Sequence, residues 1–105
     1  MKVYISGPMS GYPDKNEKAF TAAQAFLEGL GHTVFNPVEN NIRRYGSIAE
    51  SEKRATYREV LQDDLNWIMK EADALFMLEG WFQSKGAKLE YDLAVLIGLP
   101  IHGHV

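Results

Sequence analysis

The sequence predicts an α/β fold, a small doubly wound parallel sheet of about four strands in the order 2-1-3-4. Three observations carry this. Short β-branched and aromatic segments ending in Gly or Pro alternate with longer segments that are apolar at helical spacing. The alternation reads β-α-β-α-β-α-β, which requires right-handed crossovers and helices on both faces of a mainly parallel sheet. No internal repeat or low-complexity stretch competes with it. At 105 residues and 46% hydrophobic content, the chain fits a single domain, 1–105, with one core.

The first strand is "KVYIS", Lys2 to Ser6, stopped by the breaker cluster "GPMSGYP". Asp14 and Glu17 resemble a capping box, and Phe20, Ala23, Leu27 and Leu30 follow at helical spacing until Gly29 and Gly31 end the helix. "HTVFNP" is a second strand closed by Pro37, and "VENNIRRYGSIAESEKRA" (38–55) lacks a clean period and reads as a long, partly mobile loop. Thr56 and Glu59 form another capping box, opening a helix to about Glu71. "ADALFML" is a buried strand, Ser84 to Gly98 supplies the third helix, and "LPIHGHV" the last strand. In this flavodoxin-like arrangement the strand order switches direction between the first and third strands, so a ligand belongs beyond their carboxyl ends, at "SGPMSG" and "LEGWFQS".

Composition narrows the function classes. A net charge of -3 without a long like-charge run argues against a nucleic acid polymer as partner, while backbone N–H groups can still hold one small phosphate. The absence of cysteine removes thiol nucleophiles and disulfides and suits a reducing compartment. "MKVYISGP" has no apolar leader and no run approaches a membrane span, so the expectation is a cytoplasmic protein without membrane attachment.

Two carboxylates break otherwise apolar helical stripes. In the third helix the inward face runs Ala87, Glu90, Leu93, Ala94, Ile97; in the second it runs Tyr57, Val60, Leu61, Asp64, Ile68, with Leu65 alongside. Asp63 falls instead on the polar face with Thr56, Glu59, Asn66 and Lys70. An unpaired buried charge costs several kcal/mol or a large pKa shift, so each inward carboxylate needs a compensating partner or a task. For Asp64 the partner is a loop donor or one of Arg43, Arg44, Arg54 and Arg58; for Glu90 it is the free N–H groups of its own helix start. The task is chemistry at a sugar C1 carbon, whose oxocarbenium-like transition state one carboxylate can trap while a second group handles the leaving-group proton. A proton-shuttling site of another kind fits the pair equally.

"SGPMSG" follows a strand and precedes a helix, so Ser6, Gly7, Pro8, Met9, Ser10 and Gly11 form either a phosphate- or ribose-holding loop or a plain tight turn. It is neither a Walker motif nor G-x-G-x-x-G, and no cofactor is expected. Ser84 in "FQSKGA" is a second phosphate contact or an ordinary N-cap. Trp81, Phe82 and Tyr4 offer rings for a base or for packing. His32, His102 and His104 do not make a ligand set, so no metal is expected; Lys88 and Asp92 read as an exposed i,i+4 pair.

Taken together, "VYISGPMSG", "DLNWI", "ADALFMLEGW" and "SKGAKLEYDLA" resemble the nucleoside 2-deoxyribosyltransferase superfamily, particularly its small phage and bacterial branch, over most of the chain. By that resemblance Glu90 corresponds to the nucleophile that attacks the anomeric carbon, Asp64 to the acid that assists the departing base, and Tyr4 to an aromatic near the nucleophile. Related deoxynucleoside 5'-monophosphate N-glycosidases surround the 5'-phosphate with residues matching Ser6, Gly7, Ser10, Gly11 and Ser84. Glu79 stands where members commonly carry a second acid, and it is longer than usual there. Some members complete their site with C-terminal residues of a neighbouring subunit, whereas this sequence stops at Val105 just past its last strand, so the expectation is a base pocket that is open, unusual or absent. The resemblance thus implies cleavage or transfer at the N-glycosidic bond of a (deoxy)nucleoside or its 5'-monophosphate, in a homo-oligomer, most simply a homodimer. The alternative is a domain of the same fold that binds or senses a nucleotide without turning it over.

Overall fold

The computed structural model describes residues 1–104, so the Val105 end of the expected last strand lies outside the described residues. The strands are β1 (Lys2–Ser6), β2 (Thr33–Phe35), β3 (Ala74–Met77) and β4 (Ile101–Gly103). They form one parallel sheet in the order β2-β1-β3-β4, with Val3 opposite Val34 and Ala74, and Met77 opposite Gly103. The helices are α1 (Glu17–Gly29), α2 (Pro37–Tyr45), α3 (Ile48–Arg54), α4 (Tyr57–Lys70) and α5 (Lys85–Ile97). The expected flavodoxin-like fold and strand order are therefore observed.

β1 is a central strand buried on both sides, and its period-2 alternation sorts the core. Val3 and Ile5 pack with Phe20, Ala23 and Leu27 of α1, while Tyr4 faces Ile68 of α4, Leu75 and Met77 of β3 and Ala94 of α5. Fully burying a side chain such as Phe20 or Ile68 contributes about 1.5–3 kcal/mol each. On the helices only part of each expected stripe is core. Ile97 is 44% and Tyr57 65% exposed, Val60 and Leu61 are half-buried, and Leu30 is exposed just past the end of α1.

Two expectations are corrected. Residues 38–55 are two helices, not a loop. Asn36 accepts from the N–H groups of Val38 and Glu39, and Pro37 occupies the first helical position, where its missing N–H costs nothing. Gly46 ends α2 at φ 98°, and Ser47 accepts from Glu50 N to start α3. The Asn-Pro pair is thus a helix start as well as a strand stop. Nor does Asp14 cap α1. It lies with Lys15 and Asn16 in left-handed backbone (φ 49°, 56° and 65°) within a 3-10 turn, Pro13–Asn16. Asn16 donates instead to the Pro8 carbonyl at 3.0 Å, tying the loop after β1 to the start of α1. Thr56 and Glu59 do form the reciprocal capping box at α4.

Candidate functional site

A cavity of about 450 Å³ lies beyond the carboxyl ends of β1 and β3, a volume suited to a small organic ligand. Tyr4 and Glu90 reach it from below. The loop after β1 supplies Gly7, Pro8, Met9, Ser10 and Tyr12; α4 supplies Tyr57, Val60, Leu61 and Asp64; Gln83 to Ala87 supply the opposite rim, and Pro37 the remainder. The half-exposed amino-terminal part of the α4 stripe is therefore cavity wall, and its apolar residues surround the carboxylate that interrupts them.

Glu90 occupies the second turn of α5 and is 6% exposed. Its two oxygens accept one hydrogen bond each, from the Tyr4 hydroxyl to Oε2 at 2.7 Å and from the Ser6 hydroxyl to Oε1 at 2.6 Å. These are lengths of charge-assisted bonds. The capping explanation for Glu90 is thereby removed, because Ser84 caps α5 by accepting from Ala87 N at 3.2 Å. The Lys88 N–H goes to the Ser84 carbonyl, so Lys85 and Gly86 carry the N–H groups of the first turn that an intrahelical bond cannot satisfy, and both line the rim.

Asp64 is 4% exposed, and its Oδ1 has no hydrogen-bond partner among the described residues. The arginine explanation fails here. Arg44 pairs with Asp63, Arg43 with Glu39 at 3.4 Å, and Arg54 reaches the Tyr45 carbonyl at 3.5 Å. Neither Arg43 nor Arg44 lines the cavity.

Burial pushes the Asp64 carboxyl up to about 8, reinforced by the charge of Glu90 and more weakly by Asp63, while the nearby Tyr4 hydroxyl opposes the rise. Burial also raises Glu90, to about 7, against the opposing bonds from Ser6 and Tyr4. Tyr4 is driven well above its ordinary value by burial first, then by the charges of Glu90 and Asp64, so at neutral pH it is a donor. Its single proton is directed at Glu90. Two hydroxyls donate to Glu90 and none to Asp64 Oδ1, so a single proton shared by the pair is better held on Asp64, with Glu90 the ionised member. One acid and one base therefore face the same cavity.

The remaining sequence candidates divide. Gly7, Pro8, Met9, Ser10 and Ser84 line the cavity; Ser6, Gly11, Glu79 and Trp81 do not. Ser6 is wholly buried behind Glu90 and holds it, instead of reaching a ligand. A Cβ on Gly7 would lie 2.7 Å from Leu78 Cβ, so close packing explains that glycine without a ligand. Gly11 is a turn residue at φ 82°, and Glu79 is exposed. Trp81 stacks on Tyr91 at 4.6 Å and donates to the His104 carbonyl, so its ring is already used in packing. Tyr12, Tyr57, Gln83, Lys85 and Gly86 line the cavity without having been singled out as ligand contacts. The Tyr4 ring is fixed by stacking on Phe35 at 5.4 Å, and Phe35 lies 5.0 Å from Trp67. No group of three metal-ligating side chains gathers among the described residues.

Residues 1–102 match the model of the family described as a domain of unknown function, DUF4406. The chain belongs to this family. No curated protein and no solved structure matches it. All the cavity residues of this DUF4406 domain, from Tyr4 to Glu90, lie inside the matched segment.

Proposed function

We propose that the domain cleaves or transfers at the N-glycosidic bond of a (deoxy)nucleoside or its 5'-monophosphate, in the manner of the nucleoside 2-deoxyribosyltransferases that its sequence resembles. One observation carries the reading: a buried carboxylate held at both oxygens by hydroxyls, Glu90, faces the same cavity as a second carboxyl whose midpoint is raised to about 8, Asp64.

Glu90 attacks C1' as the C1'–N bond breaks, the bonding pair leaves with the base nitrogen, and the Asp64 proton neutralises the base. Water or a second base then attacks C1' of the glycosyl ester. The ester bond breaks, Glu90 regains its carboxylate, and Asp64 takes up the proton lost by the incoming nucleophile. Ser10, Ser84 and the N–H groups of Lys85 and Gly86 supply donors for the sugar or its phosphate, and the start of α5 adds a favourable dipole for an anion. The resemblance further implies a homo-oligomer. Leu89 and Leu96, two turns apart on α5, are exposed and offer an apolar surface to a second copy. The cysteine-free chain suits a reducing cytoplasm.

The test is incubation with a panel of nucleosides and 5'-monophosphates, with and without an acceptor base, followed by chromatography for free base. Release or exchange of base, lost roughly 1000-fold or more in Glu90→Gln, is expected. A second reading, binding or sensing without turnover, draws on the 6% exposure of Glu90 and the hydrogen bonds already made by both its oxygens. Ligand binding without base release, unaltered in Glu90→Gln, would establish that reading and dismiss the first.

A further inference from the structure

Two features of the carboxylate pair are not explained by attack and protonation alone. Ser6, fully buried and outside the cavity wall, is committed to Glu90 Oε1, whereas Tyr4, on the wall, is committed to Oε2. Asp64 Oδ1, equally buried, has no donor at all. A neutral carboxyl tolerates the missing donor, but ionisation leaves Oδ1, the oxygen closed off from the surface, charged and without a hydrogen bond, which is costly. A donor that arrives at Oδ1 as Asp64 gives up its proton relieves that cost.

We infer that Tyr4 is a positioning residue whose hydroxyl moves between the two carboxylates, bonding Glu90 Oε2 when Asp64 is protonated and Asp64 Oδ1 when Asp64 is ionised, while Ser6 keeps Glu90 Oε1 fixed throughout. The ring need not travel, because its stacking on Phe35 holds the plane and a turn of the hydroxyl with small side-chain adjustments changes the acceptor. The inference rests on the glycosidic reading only for its timing. There, Oε2 is the attacking oxygen, since Ser6 pins Oε1 from behind. As Oε2 bonds to C1' its charge disappears and its hold on the Tyr4 hydroxyl weakens, in the same step that Asp64 gives its proton to the base and becomes the better acceptor. Oε1 becomes the ester carbonyl and keeps the Ser6 bond. No net proton enters or leaves Tyr4. The device uses one hydroxyl to stabilise whichever carboxylate is charged.

The other titratable or charged groups around the pair are Asp63 beside Asp64 on α4, Tyr57 at the start of α4, Lys85 at the start of α5 and Tyr12 of the loop. None donates to Asp64 Oδ1. The test reads protonation directly and needs no turnover: carboxyl carbon chemical shifts of the labelled full-length protein, followed against pH. Ser6→Ala is expected to raise the Glu90 midpoint, and an unmoved Glu90 midpoint counts against a fixed Ser6 bond. In Glu90→Gln the Asp64 midpoint falls, but loss of the Glu90 charge contributes to that fall, so the deciding comparison is made within this background. Adding Tyr4→Phe to Glu90→Gln should raise the Asp64 midpoint again by about one unit or more, the size of one lost charge-assisted bond. An unchanged Asp64 midpoint in the double variant would overturn the inference. Should Tyr4→Phe compromise folding, the Tyr4 ring carbon bearing the hydroxyl gives a second measurement in the Glu90→Gln protein. It must shift with the Asp64 titration, and a flat trace counts against the inference. A moving hydroxyl in a protein that releases no base would leave the inference standing and remove the glycosidic reading alone.

Discussion

At the scale of single residues, the fold holds two carboxyls where their ionised forms are unwelcome. Both midpoints lie above their unfolded values, so the native state binds more protons than the unfolded chain across the intervening range. The stability that these two groups contribute therefore falls as pH rises from about 4 to about 8 and levels off above, because the slope follows the protons bound by the unfolded state minus those bound by the native state. Asp64→Asn should flatten this descent. Denaturant titrations are expected to show it more stable than the wild type at pH 9 by a few kcal/mol, on the order of the raised midpoint converted to energy, with little difference at pH 4. If base is released, its rate should be bell-shaped, rising as Glu90 ionises at about 7 and falling as Asp64 loses its proton at about 8. These two side chains were legible in the sequence because each violates a helical stripe. The partners of Glu90 were legible too, had the alternation of β1 been followed further. Tyr4 and Ser6 are two residues apart and so share the face toward α5, which makes Ser6 a companion of Tyr4 and not part of the loop that follows.

At the scale of elements, the cavity depends on where three helices begin. Thr56 fixes the first turn of α4, from which Tyr57, Val60 and Leu61 project into the wall. Thr56→Ala removes a reciprocal cap and should cost about 1 kcal/mol in chemical denaturation, with ligand affinity falling alongside if the turn frays. Asn36→Ala should cost at least as much, about 1–2 kcal/mol, because Asn36 is buried, caps α2 through two N–H groups and donates to Gln24 at 3.0 Å. The capping box of α4 could be read directly from Thr56 and Glu59, and the strands from their β-branched runs. α2 and α3 could not be read from periodicity. The buried face of α2 mixes Val38 and Tyr45 with polar Asn41, and α3 buries only Ser51, so neither shows an apolar stripe. Their caps, Asn36 before Pro37 and Ser47 three residues before Glu50, were the readable signal. The positive φ angles of Asp14, Lys15 and Asn16 had none, because the acidic residue in a helix-start pattern is the usual mark of a cap.

At the scale of the whole molecule, the sheet order places the site where β1 and β3 lead chain in different directions, and this much followed from counting elements. The outer edge is held more tightly than its length suggests. A Cβ on Gly103 would collide with the Met77 backbone, and φ there is 87°, so Gly103→Ala should lower Tm by several degrees or more, as expected for a loss of a few kcal/mol in a domain this size. The exposed α5 surface around Leu96, itself 83% exposed, is the place to test self-association. If the proposed homodimer forms through this surface, sedimentation gives a dimer for the wild type and a monomer for Leu96→Glu. Among the described residues no helix is long and apolar enough to cross a membrane. The ring cluster of Tyr4, Phe35 and Trp67 has an optical consequence. Of the two tryptophans in the sequence, Trp81 is engaged with Tyr91 and the His104 carbonyl, while Trp67 lies tilted against both Phe35, at 5.0 Å, and the Tyr4 ring that carries the site hydroxyl, at 6.3 Å. With Trp81 replaced by Phe, the emission of Trp67 becomes a built-in, label-free lamp on the carboxylate pair, dimming or shifting as a ligand or a proton arrives.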